Sequence, residues 1–332
     1  MVIAPTREPI AEPILEPDRV IVDPHHHLWP GEAGTAYLLD DLRADTGSGH
    51  SVRATVFIEC LTRYRPDGPP PMRPVGETEY VRRIAEASRD APGARISGIV
   101  GATDLRLGAA VEEVLTAHIA AGGDLFRGIR HAAAWDPSEA IRVSHHNPPP
   151  HLYLDGAFRE GFARLAPLGL TFDAWLYHPQ IPELTDLARA FPETSIVLDH
   201  FGGPLGIGPY AGKREEVFVN WRRDIAPLAA CPNVFTKLGG MAMPINGHGW
   251  HKQPTPPSSE DFARAQGDYY RAAIDLFSPA RCMFESNFPV DKASLAYATL
   301  WNAFKRIAAP FDEAEKDQMF RATASRFYSL EA

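Results

Sequence analysis

Val20-Ile21-Val22-Asp23-Pro24-His25-His26-His27-Leu28-Trp29 is a short β-branched run that breaks into a knot of polar side chains. β-Branched residues favour a strand. Side chains alternate across a strand, so His25 and His27 point one way and His26 the other. Two imidazoles on one side of a strand end can hold one metal ion or one substrate carbonyl. Seven more runs share this design, near 53–60, 95–101, 125–131, 169–177, 195–200, 233–239 and 281–287. Segments with helical periodicity lie near 76–90, 108–121, 155–167, 180–191, 214–230, 260–277, 292–308 and 312–328.

Strands alternating with helices require a parallel sheet, and eight such units close into a (β/α)8 TIM barrel. A doubly wound open sheet is the structural alternative. It offers no reason for polar residues at the end of nearly every strand, whereas a barrel keeps its chemistry there. Pro-rich stretches at 62–76, 136–151 and 239–259 follow the second, fourth and seventh strands. They are read as loop insertions over the C-terminal face. Residues 1–18 are read as an N-terminal extension and 19–332 as one barrel domain.

Composition narrows the function. Of 332 residues, 45% are hydrophobic and 23% charged, enough for a large core. Lys and Arg total 33 against 42 Asp and Glu, a net charge of −9, with no basic run to follow a phosphate backbone. Cys60, Cys231 and Cys282 are widely spaced in apolar runs, which reads as buried thiols in a reducing compartment. The first residues carry Pro and acidic side chains where a signal peptide needs a basic start. No segment reaches the roughly 20 apolar residues of a membrane span. The expectation is a soluble, cytoplasmic protein with a small-molecule substrate and neither nucleic acid nor membrane as partner; a homo-oligomer is compatible with it.

Further candidates sit at strand ends. The fifth run leads into Tyr177-His178-Pro179 and the sixth ends in Leu198-Asp199-His200-Phe201-Gly202-Gly203-Pro204. The eighth carries Phe284-Glu285-Ser286-Asn287-Phe288-Pro289, where alternation puts Glu285 and Asn287 on one face. In Gly128-Ile129-Arg130-His131, the Arg130 guanidinium suits bidentate capture of a carboxylate. Glu59, His131 and Tyr177 are counted with it as substrate contacts, and Glu59 and Lys237 can each be half of an ion pair inside the barrel.

With its Asp23-x-His25-x-His27 start, its LDHFGGP sixth strand and its SNFP eighth strand, the chain resembles the amidohydrolase superfamily. The branch is that of 2-pyrone-4,6-dicarboxylate lactonase and fuconolactonase. The resemblance runs from Asp23 to the last helix. It implies that His25, His27 and His178 line the reacting centre and hold one divalent ion, zinc first, although the branch also includes lactonases that work without metal. His200 corresponds to the sixth-strand histidine. The family's eighth strand reads Ser-Asp-Trp-Pro, but here Asn287 stands at the Asp position. An amide cannot accept a proton at neutral pH, so the base role passes to His200 or Glu285. The implied activity is hydrolysis of a lactone or other cyclic ester bearing a carboxylate, with Arg130 on the carboxylate and Asn287 on substrate or water. Non-oxidative decarboxylation of the aminocarboxymuconate-semialdehyde type, amide cleavage and a silent ligand-binding barrel are the alternatives.

Overall fold

β1 (Val20–His26), β2 (Ser51–Ile58), β3 (Arg95–Ala102), β4 (Phe126–Arg130), β5 (Thr171–Ala174), β6 (Ile196–Leu198), β7 (Val234–Leu238) and β8 (Cys282–Phe284) form one parallel sheet in sequence order in the computed structural model, which describes residues 10–31, 36–89 and 92–331. The ring closes where the chain just after β8 meets β1. There His26 bridges Phe288, the His27 N–H donates to the Phe288 carbonyl at 2.8 Å, and the Asn287 N–H donates to the His25 carbonyl at 3.1 Å. Each strand is followed by a helix: α1 (Leu39–Thr46), α2 (Val75–Arg89), α3 (Val111–Gly122), α4 (Gly156–Phe162), α5 (Ile181–Ala190), α6 (Arg214–Ala229), α7 (Ser259–Phe277) and α8 (Tyr297–Ala308). This is the (β/α)8 barrel that the alternation requires.

Three details depart from the sequence reading. Helix α1 gave no signal because its eight residues, LDDLRADT, are half charged and bury only Leu42 and Thr46. The helix read over 312–328 is two short ones, α9 (Glu313–Asp317) and α10 (Thr323–Phe327), joined by a π turn. Most consequentially, β8 stops at Phe284, and Asn287 adopts a left-handed φ of 55°. Strand alternation therefore does not extend from Glu285 to Asn287.

Val22, Val56, Val100, Val197 and Met283 pack inside the barrel, where Ala324, Phe327 and Tyr328 of the C-terminal segment join them. Of the N-terminal extension, residues 1–9 lie outside the described residues. The rest is pinned to α8: the Leu15 N–H donates to Asn302 Oδ1 at 2.9 Å, and Lys305 Nζ donates to the Leu15 and Glu16 carbonyls at 2.8 Å.

Burial also sets how the fold responds to acid. It pushes His26 and His131 down to about 3 and His118 to about 4. In the unfolded chain these rings titrate near ~6.5. The unfolded state therefore takes up protons that the folded state refuses, and stability present above that value is lost as pH falls through it. Each ring contributes roughly 1.4 kcal/mol per pH unit. Urea midpoints should drop clearly between about pH 7 and about pH 5; equal midpoints would mean that these rings are protonated inside the fold.

Candidate active site

Lys237, at the inner side of β7, is the hub. Its Nζ lies 2.6 Å from Asp173 Oδ2 on β5, 3.0 Å from Asp199 Oδ1 just past β6, and 3.2 Å from His25 Nδ1 on β1. All four side chains are fully buried. From the barrel floor the Tyr328 hydroxyl donates to Asp173 Oδ2 at 2.6 Å. An ammonium has N–H bonds and no lone pair, so it donates to Asp173 and to His25 Nδ1, while Asp199 is held as an ion pair. Both ring nitrogens of His25 face a cation, Nδ1 the Lys237 ammonium at 3.2 Å and Nε2 the Arg130 guanidinium at 3.5 Å, and the shorter contact assigns the bare lone pair to Nδ1 and the proton to Nε2. Burial, then the Lys237 charge, hold His25 well below the ordinary histidine range, so the ring stays neutral. Burial likewise raises Asp173 to about 6, against the pull of Lys237.

A second pair stands beside this hub. His200 Nδ1 is 2.7 Å from Glu285 Oε1, and the two come together because β6 and β8 end at the same rim. A carboxylate only accepts, so the proton sits on Nδ1 and Nε2 keeps its lone pair. The His200 ring lies 4.5 Å from that of His25 and 5.0 Å from Trp175. Among the described residues Glu285 Oε2 has no hydrogen-bond partner, and it lies 3.9 Å from His25 Nδ1. Gly239 and Gly240, following β7, make room for the pair: a Cβ on Gly240 would lie 2.4 Å from His200 Cγ, and one on Gly239 would lie 2.4 Å from Glu285 Oε1. His27 sits next to His25, with ring centroids 5.0 Å apart; its Nδ1–H donates to the Ile58 carbonyl at 2.8 Å. His26 packs against Phe57 instead.

Glu59 closes the other side. Arg130 Nε donates to its Oε1 at 2.7 Å, and the loop after β4 brings His145 Nε2 to Oε1 at 2.9 Å and His146 Nε2 to Oε2 at 3.0 Å. Burial alone would raise the Glu59 carboxyl, but His145, Arg130 and His146 together hold it well below the usual carboxylate range. The remaining Arg130 arm reaches toward His25 Nε2 at 3.5 Å and Asp199 Oδ2 at 3.6 Å. The loop at 136–151 thus lies over the barrel mouth, held at its base by the Tyr177 hydroxyl on the Arg142 carbonyl at 2.6 Å.

The structure therefore gathers His25, His27, His200, Glu285, Glu59 and Arg130, and leaves four candidates in hydrogen bonds of their own. His178 Nδ1 accepts the Leu205 N–H at 3.4 Å, its ring rests against Tyr210, and burial takes it to about 4. His131 Nδ1 accepts the Leu105 N–H at 3.3 Å. Tyr177 is spent on Arg142. Asn287 Nδ2 donates to Asp291 Oδ1 at 3.0 Å, and Asp291 also accepts the Ala242 N–H at 3.1 Å. Among the described residues, two groups of His, Cys, Asp or Glu have donor atoms all within 4.8 Å of one another: His25–His200–Glu285 and Glu59–His145–His146. Neither contains His27 or His178. Asp173, Asp199, His145 and His146 were not singled out in the sequence. For Asp173 a signal existed, because an acid inside the apolar run TFDAWL needs a buried partner.

Comparison with known proteins agrees with this architecture. A family model described as amidohydrolase matches residues 22–330. The chain is 31% identical over 334 residues to the protein y4mH of Sinorhizobium fredii, covering 94% of this chain and 99% of that one. It is 25% identical over 322 residues to L-fucono-1,5-lactonase of Burkholderia multivorans, covering 93% and 96%. The crystal structure of an amidohydrolase from Burkholderia multivorans with bound zinc superposes with a TM-score of 0.73 at 24% identity, covering 94% of this chain and 100% of that one.

Proposed function

This chain belongs to the amidohydrolase family and is a hydrolase, and from that premise we propose that it opens a lactone or other cyclic ester by attack of water deprotonated at His200. The observation that carries this reading is the His200–Glu285 pair, with Nδ1–H fixed on the carboxylate and a bare Nε2 beside His25. Imidazole held in this way is suited to general base work near neutral pH. The water proton passes to His200 Nε2 while the water oxygen bonds the carbonyl carbon. Charge moving onto the carbonyl oxygen meets the His25 Nε2–H, whose position and tautomer Lys237 fixes from behind. Collapse of the adduct breaks the ring C–O bond, and the leaving oxygen takes the proton back from His200. None of these steps needs zinc, the ion held by the Burkholderia multivorans structure.

One part of the sequence expectation changes. The Arg130 guanidinium is engaged by Glu59, so a substrate carboxylate finds no open fork there, and the reading keeps the cyclic ester without that carboxylate. The reacting groups are also enclosed, with His25 and Glu285 at 0% and His200 at 3% exposure. His145 and His146 are partly open, which makes their loop the way in. We place the enzyme in the cytoplasm, on the strength of its three unpaired cysteines. No helix among the described residues is long and apolar enough to cross a membrane.

The test is a panel of lactones headed by L-fucono-1,5-lactone, following acid release and carbon dioxide in parallel. Acid release lost on His200→Asn is the expected result. Carbon dioxide without ring opening would make the protein a decarboxylase. Binding of a lactone with no turnover would make it a silent barrel.

A further inference from the structure

One divalent ion on His25, His27 and His178 is what the sequence implies, and the donors can be tested against it. His178 belongs to neither group of converging donors. In the group His25–His200–Glu285, the last two are bound to each other at 2.7 Å, and His25 Nδ1 receives the Lys237 ammonium at 3.2 Å. In the other group, Glu59 already carries the Arg130 guanidinium. These residues do not fit a metal ion while Lys237 and Arg130 stand where they do.

Asp173, Asp199 and His25 offer the donor types of a divalent-ion site, two carboxylates and an imidazole, around one point, but spread around the ammonium they are not among the groups that converge within 4.8 Å. The point is filled: Lys237 Nζ lies 2.6, 3.0 and 3.2 Å from the three, hydrogen-bonded to Asp173 and His25 and ion-paired with Asp199. We propose that the Lys237 ammonium is the resident cation of this centre, standing where a metal would bind, so that the native protein holds no divalent ion at His25 and a metal site appears when the lysine side chain is removed. Without Lys237, two buried carboxylates and a free imidazole lone pair lose their shared cation. A zinc-class ion supplies the missing positive charge and accepts all three lone pairs. The inference concerns metal occupancy and holds whichever substrate the enzyme accepts.

The experiment measures zinc content after expression in zinc-supplemented medium and dialysis, then titrates zinc calorimetrically into the full-length wild type, Lys237→Ala and Lys237→Ala/His25→Asn. Expected are a wild type without stoichiometric zinc, a Lys237→Ala variant that binds one zinc per chain at least ~100-fold more tightly, and loss of that gain in the double variant. Lys237→Ala that folds only with zinc, by circular dichroism, supports the proposal equally. A wild type carrying one zinc per chain that His25→Asn removes would overturn it, as would a folded Lys237→Ala with no gain in affinity. Should Lys237→Ala fold under neither condition, the wild-type measurement decides alone. Turnover enters none of these readouts, so failure of the lactone panel and failure of this proposal are separate events.

Discussion

His200→Asn is expected to lower kcat on an accepted lactone by ~10³–10⁴-fold while leaving KM and the unfolding midpoint close to wild type. Asparagine is polar and short enough for the site but has no lone pair that takes a proton at neutral pH, so the loss falls on the chemical step. Glu285→Gln should cost less, about 10²-fold, because the glutamine carbonyl still accepts the Nδ1–H but carries no charge to favour the imidazolium. The two residues act as a unit at 2.7 Å, so the double variant should be no slower than His200→Asn alone. A fast His200→Asn enzyme together with a dead Glu285→Gln enzyme would instead make Glu285 the base, the other candidate that the missing eighth-strand Asp leaves open.

Gly240→Ala should cost about 2–4 kcal/mol of stability and at least ~10²-fold in kcat. Gly240 has a φ of 67°, a left-handed conformation unfavourable to alanine, and its added Cβ would lie 2.4 Å from Cγ and 2.5 Å from Nδ1 of His200. These are atoms at the base of the ring, which cannot swing aside without breaking the bond to Glu285. His200 itself sits at a φ of 52°, so its backbone has little freedom to retreat. Urea unfolding and kcat on the same preparation read both effects. In a His200→Gly background all three close contacts, with Cβ at 2.6 Å as well as Cγ and Nδ1, disappear and only the left-handed penalty of about 1 kcal/mol remains, so the two substitutions should couple strongly. Additive costs would show that the ring does not rest on Gly240.

The barrel was legible because periodicity is local: β-branched runs and helical repeats each announce themselves within about ten residues. The facing of His25 and His27 was legible for the same reason, as was the rim position of His200. Arrangement across the barrel was not. The hub joins Lys237 to Asp173, Asp199 and His25, and nothing in a single sequence says which of several strand-end charges will meet. Tyr328, near the C-terminus, reaches Asp173 only because α10 folds under the barrel floor. His145 and His146 sit in a Pro-rich loop that meets Glu59 and Tyr177 through contacts distant in sequence. At Asn287 alternation misled, since the strand ends three residues earlier and the amide turns to Asp291.

Ring opening in heavy-oxygen water tests the central claim most directly, with the position of the label read by mass spectrometry of the product. Attack of His200-activated water on the carbonyl carbon places one heavy oxygen in the new carboxylate, at a rate that collapses in His200→Asn. Label in the alcohol oxygen, or product formed with no label at all, would contradict hydrolysis at the carbonyl and with it the role assigned to His200 and Glu285.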